Sequence, residues 1–175
     1  MEYIHRQIED VVCKAAQSFK AVLITGARQT GKSTLLRELF PEWKQLSFDD
    51  LFLEEQAKEN PEMFMMLHEP PIIMDEVQRV PDLFRYLKLQ CDGSEAKGQF
   101  LLSGSQPFSL MRLASESLAG RVAVLELSTL SLRELTGDRF TAPFVPGLDY
   151  LRERQKTVVR PKNIWEYIHR GGYPG

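Results

Sequence analysis

Two rhythms of apolar residues alternate along the chain. Short unbroken runs at "AVLIT", "PIIMD", "QFLLS" and "VAVLEL" have the form of buried strands, and each is followed by polar or glycine residues. The run "KQLSF" has similar boundaries and predicts a further strand. Helical spacing fills the gaps. Ile4, Ile8, Val11, Val12, Ala15 and Ala16 predict an amphipathic helix ahead of the first strand. "KSTLLRELF" predicts a helix stopped by Pro41, and "IWEYIHR" predicts a last one. Strands joined by helical crossovers predict an α/β fold around a five-stranded parallel sheet. After Thr136 the texture changes: Pro143, Pro146 and Gly147 break the pattern, and the charged "YLRERQKTVVRPK" follows. A core is therefore expected at 1–136 and a second part at 137–175.

Composition narrows the class only slightly. The 175 residues are 43% hydrophobic and 26% charged, enough for one well-cored domain and the start of another. A formal net charge of -2 gives no global reason for a polyanionic partner. Cys13 and Cys91 form no close pair, which suits free thiols in a reducing compartment, so the chain reads as cytosolic. "MEYIHRQIED" lacks a basic stretch followed by an apolar one, and no apolar run approaches the roughly 18 to 20 residues that span a bilayer. Neither secretion nor membrane insertion is expected. His5, His68 and His169 are scattered without metal-ligand spacing, and the methionines of "MFMMLH" read as core filling.

The chemistry concentrates where the first strand ends. In "VLITGARQTGKSTLL" the segment Gly26, Ala27, Arg28, Gln29, Thr30, Gly31, Lys32, Ser33 and Thr34 fits G-x-x-x-x-G-K-[ST], placed after a strand and before a helix. Glycines let the backbone curl around an anion with its N–H groups inward, and the helix adds the positive end of its dipole. Lys32 is expected to reach the outer phosphates, Ser33 to hold Mg²⁺ and Thr34 to support the turn. Arg28 and Gln29 sit at the loop tip, where they touch phosphate, meet a neighbouring subunit or are simply solvated.

Two acids close the third strand. Asp75, at the carboxyl end of "PIIMD", is expected to share the Mg²⁺ with Ser33, whereas Glu76 is placed to polarise the water that attacks a terminal phosphate. The serines of "FLLSGSQ" lie at the end of a strand, and either Ser103 or Ser105 could sense that phosphate. Arg121 is a candidate for offsetting phosphate charge, from its own subunit or a neighbour. Asp49 and Asp50 suit helix capping or solvation better than metal binding. Arg152, Arg154, Lys156, Arg160 and Lys162 make the tail locally basic, and a solvated face is the favoured reading over a nucleic-acid surface.

With these motifs in order, the chain resembles the AAA-type P-loop ATPases. More narrowly it resembles the bacterial and archaeal family that carries a C-terminal domain of unknown function and is related to STAND-type signalling ATPases. The resemblance rests on "GARQTGKSTLL", "IIMDEVQRVPDLF", "LLSGS", "LAGRV" and "GGYPG" and spans nearly all 175 residues. Ala27 stands where such loops more often carry proline. The resemblance implies a P-loop NTPase three-layer sandwich with the beginning of a helical lid at 137–175, ATP or ADP and Mg²⁺ as ligands, and ATP hydrolysis. It also implies a lid motif near the adenine, a role that passes to Tyr173 and Pro174. Members of the family continue well past this motif, so a truncated lid is expected, with a protein partner engaged through the region beyond it. A homo-oligomer is open, and nucleic acid is the less favoured partner. The rival readings are a nucleotide-controlled switch with negligible hydrolysis and a DNA-handling ATPase. No Asn-Lys-x-Asp guanine reader is present, which speaks against GTP.

Overall fold

The computed structural model describes residues 3–138, 140, 142–159 and 163–174. It divides into two compact units, Ile8–Ser128 and a second comprising Met1–Gln7 with Thr129–Gly175. In the larger unit the apolar runs form β1 (Ala21–Thr25), β2 (Lys44–Ser47), β3 (Ile72–Asp75), β4 (Phe100–Gly104) and β5 (Val122–Glu126). They make one sheet in the order β2-β3-β4-β1-β5, every neighbouring pair parallel. Parallel neighbours need crossovers, and helices supply them. These are α2 (Lys32–Leu39), α3 (Leu51–Glu59), α4 (Pro61–Leu67), α5 (Leu83–Gly93) and α6 (Pro107–Ser117), with α1 (Glu9–Ser18) leading in.

The strands' composition follows their place in the sheet. All five residues of β1 and of β4, at the centre, are buried, whereas the outer strands β2 and β5 keep exposed positions. Leu23, Leu102, Phe48, Phe64, Phe84 and Phe100 belong to one buried cluster between sheet and helices. Burying each such side chain contributes about 1.5–3 kcal/mol. The expected strands recur within a residue or so at each end. Two expectations do not hold. Helix α1 begins at Glu9, so Ile4 lies outside it, and Val11 is half-exposed because the buried stripe runs through Val12, Ala15 and Ala16. In α4 only Phe64 and Met65 face the core. Met63 and Met66 are exposed, because so short a helix turns a single face inward.

The second unit contains α7 (Leu132–Thr136), α8 (Leu148–Thr157) and α9 (Ile164–Arg170). Helix α7 opens on a capping box in which Ser131 Oγ accepts from the Glu134 amide and Glu134 Oε2 accepts from the Ser131 amide. The other oxygen, Glu134 Oε1, accepts from the Gln7 amide at 2.8 Å and from Arg6 Nε at 3.1 Å. This tie places α7 with the N-terminal residues, so the compact units meet after Ser128, whereas composition placed the change after Thr136. The basic tail is partly neutralised: Arg154 pairs with Asp138 at 2.5 Å and lies over the Phe140 ring, and Arg152 pairs with Asp149. Arg160 and Lys162 lie outside the described residues. Among the described residues no helix is long and apolar enough to cross a membrane.

Candidate functional site

Because β3, β4 and β1 are neighbours and parallel, their carboxyl ends deliver three segments to one edge: the loop after Thr25, the pair Asp75–Glu76, and Gly104–Ser105. The loop is shaped by its backbone. Gly26 has φ 148° and Gly31, at the N-cap of α2, has φ 91°. Among the described residues the non-glycine positions with positive φ are Gln29 and Glu76, both at this edge. Such strain concentrates at functional sites.

Gly26 is fixed by close approach as well as by conformation. A Cβ there would stand 2.3 Å from the Leu127 carbonyl oxygen, and Leu127 is itself tied back by its amide to Thr25 at 2.8 Å. Gly26→Ala is expected to destabilise the protein by about 1–3 kcal/mol. Thermal denaturation should read this as a melting point lower by about 3 to 10 °C.

The loop's side chains divide between shape and charge. Thr30, buried, donates to the Ala27 carbonyl at 3.0 Å. Lys32 is buried, and its Nζ donates to the carbonyls of Gly26 at 3.1 Å and Ala27 at 2.8 Å. Burial lowers the Lys32 pKa, and the Glu76 and Asp75 carboxylates oppose that shift. Lys32, Ser33 and Thr34 open α2, where amides lack helical carbonyl partners and the dipole is positive. Ala27, Arg28, Gln29 and Thr34 are exposed.

Asp75 accepts from three sides. Ser33 Oγ donates to Oδ2 at 2.5 Å, Ser103 Oγ donates to Oδ1 at 2.6 Å and the Glu76 amide donates to Oδ1 at 3.1 Å. The donor set is all hard oxygen, one carboxylate beside one hydroxyl at the mouth of a phosphate loop, which fits Mg²⁺ completed by phosphate and water. Ser103 is fully buried and its hydroxyl donates to Asp75, which places it to orient that carboxylate. Ser105, one residue past β4, instead donates to Glu76 Oε2 at 3.1 Å.

Other expected residues lie elsewhere. The carbonyl of Arg121 accepts from the Ala21 amide, and the β1–β5 register starts at Ala21 and Val122, so Arg121 sits at the amino edge of the sheet. The length of β1, about 16 Å at the usual strand rise, separates it from the loop. Its side chain pairs with Asp92 and donates to the Ala119 carbonyl at 2.8 Å. The own-subunit role is thereby out of reach. Asp50 caps α3 by accepting from the Phe52 amide at 2.9 Å, and Asp49 pairs with Arg79 at 2.9 Å. Tyr173 and Pro174 follow α9 in the second unit, where the Leu130 amide donates to the Gly172 carbonyl at 2.6 Å.

Sequence reasoning missed one residue of this edge. Gln78 ends the "DEVQ" motif, and its Nε2 donates to Glu76 Oε2 and lies 3.5 Å from Ser105 Oγ. A polar residue two places after the acid, opposite a glycine flanked by serines, was the available signal.

Comparison with known proteins agrees with this fold. Residues 18–136 match the family described as AAA domain. Uncharacterised proteins of Mycobacterium bovis and Mycobacterium tuberculosis are each 38% identical over 131 residues, covering 70% of this chain but 28% of theirs. Among solved structures, the Walker-type ATPase of Pyrococcus abyssi superposes with a TM-score of 0.60 at 16% identity, over 98% of this chain and 65% of that one. The chain belongs to the AAA domain family, and its five-stranded parallel sheet is that of a P-loop NTPase.

Proposed function

We propose that this chain is a Mg²⁺-dependent ATP-binding and ATP-hydrolysing domain. The observation that carries the reading is the convergence of Lys32, Ser33, Asp75 and Glu76 at one edge of the sheet, on a loop whose Gly26 admits no side chain. In this reading the loop amides and Lys32 hold the phosphates, and Ser33 and Asp75 hold the metal, which supplies charge neutralisation when bound. Glu76 takes a proton from the water that attacks the terminal phosphorus. The bond to the bridging oxygen breaks, giving ADP and inorganic phosphate. Ser105, beside Glu76, is the serine that meets the terminal phosphate. Arg121 serves a neighbouring copy, as only a second chain can bring it to a phosphate. Tyr173 and Pro174 are assigned to adenine by family resemblance alone, as are the kinship with signalling ATPases and a protein partner, whereas the cytosolic location rests on the spacing of Cys13 and Cys91.

Binding is tested by thermal denaturation. Mg-ATP at about a hundred times its dissociation constant should add roughly 2.7 kcal/mol. For a chain of this size the melting point should rise by about 5 to 10 °C. Lys32→Ala should remove the rise, because it deletes the charge that the loop holds toward the phosphates. No rise in the wild type with millimolar Mg-ATP would overturn the reading.

A further inference from the structure

Glu76 leaves β3 in the left-handed region, at φ 57° and ψ 40°, and the chain then tightens into a single 3-10 turn, Val77–Arg79. Val77 and Val80 are buried and pin that turn to the core. With its backbone so fixed, Gln78 lies back alongside Glu76. An ionised carboxylate only accepts, so the amide nitrogen of Gln78 is the end that faces Oε2. The amide oxygen is left buried without a partner among the described residues, directed at Gly104, where a Cβ would stand 2.2 Å from it. An unpaired buried carbonyl is costly, and among the described residues the hydrogen bonds of the Gln78 side chain go to Glu76 and Ser105.

Both donors converge on the same oxygen. Gln78 and Ser105 each donate to Oε2, whereas Oε1 accepts no hydrogen bond among the described residues. A serine hydroxyl has one proton, so Ser105 cannot serve Glu76 and a phosphate together. We propose that Gln78 is a positioning residue for Glu76. Its amide holds Oε2 when Ser105 turns its proton to the terminal phosphate, leaving Oε1 to receive the proton of the attacking water. The inference rests on the hydrolytic reading above and adds to it the group that keeps the carboxylate in place through the exchange.

The test uses Gln78→Met, which keeps the length and packing of the side chain but removes its donor. Single-turnover hydrolysis should fall on the order of 10- to 100-fold, the range for groups that orient a catalytic ligand, with ATP affinity within about threefold. In a Glu76→Gln background the same change should cost nothing further, because the group it acts through is already lost. A wild-type rate in Gln78→Met, or an undiminished extra loss on top of Glu76→Gln, would overturn the proposal. If the wild type itself turns over no ATP, the hydrolytic reading fails and this proposal fails with it, whereas a wild-type rate in Gln78→Met beside an impaired Glu76→Gln refutes the proposal alone.

Discussion

Glu76→Gln is expected to leave Mg-ATP affinity within about threefold of the wild type while cutting single-turnover hydrolysis by roughly 10²- to 10⁴-fold, the contribution usual for a positioned general base. The separation follows from where the carboxylate sits. The Glu76 carboxylate accepts from Gln78 and Ser105, and among the described residues no hydrogen bond joins it to Ser33 or to the phosphate loop. An amide of the same size therefore leaves the phosphate cradle standing but offers the water no basic oxygen. Equilibrium binding of labelled ATP and a quenched single-turnover time course, on the same preparation, measure the two quantities separately.

Asp75→Asn should behave differently although the charge removed is the same. Asp75 accepts from Ser33, Ser103 and the Glu76 amide, and it stands beside the hydroxyl expected to ligate Mg²⁺. Asparagine has one acceptor oxygen and an NH₂ group, so one of those serines would meet a donor where it now donates. Magnesium-dependent binding and hydrolysis should then fall together, each by at least roughly 10- to 100-fold, because the metal neutralises phosphate charge in the bound state and in the transition state alike. Titrating Mg²⁺ at fixed ATP checks this: the variant should need far more magnesium, and an unchanged magnesium dependence would remove Asp75 from the metal site.

The sheet was legible because its centre is buried on both faces, which forces near-continuous apolar runs such as "AVLIT" and "FLLSG". The phosphate loop was legible for a related reason: a glycine that cannot carry a Cβ and a lysine that must cross the loop leave a fixed spacing. Properties set by tertiary placement were not. Spacing could not tell Ser103 from Ser105, since only the fold shows that one hydroxyl turns to Asp75 and the other to Glu76. Nor could it show that Arg121 lies at the opposite edge of the sheet, because the register of β1 with β5 fixes that. Gln78 escaped notice because an exposed turn glutamine and a glutamine clamped on a carboxylate look alike in a sequence; the left-handed backbone at Glu76 makes the difference.

The identity of the nucleotide left on the protein decides between a hydrolytic domain and a switch that only binds. Wild type and Glu76→Gln are each loaded with substoichiometric Mg-ATP, incubated, separated from free nucleotide and denatured, and the released nucleotide is identified by chromatography. Hydrolysis through Glu76 predicts ADP from the wild type and intact ATP from Glu76→Gln. Intact ATP from both proteins, or ADP from both at equal rates, would contradict it.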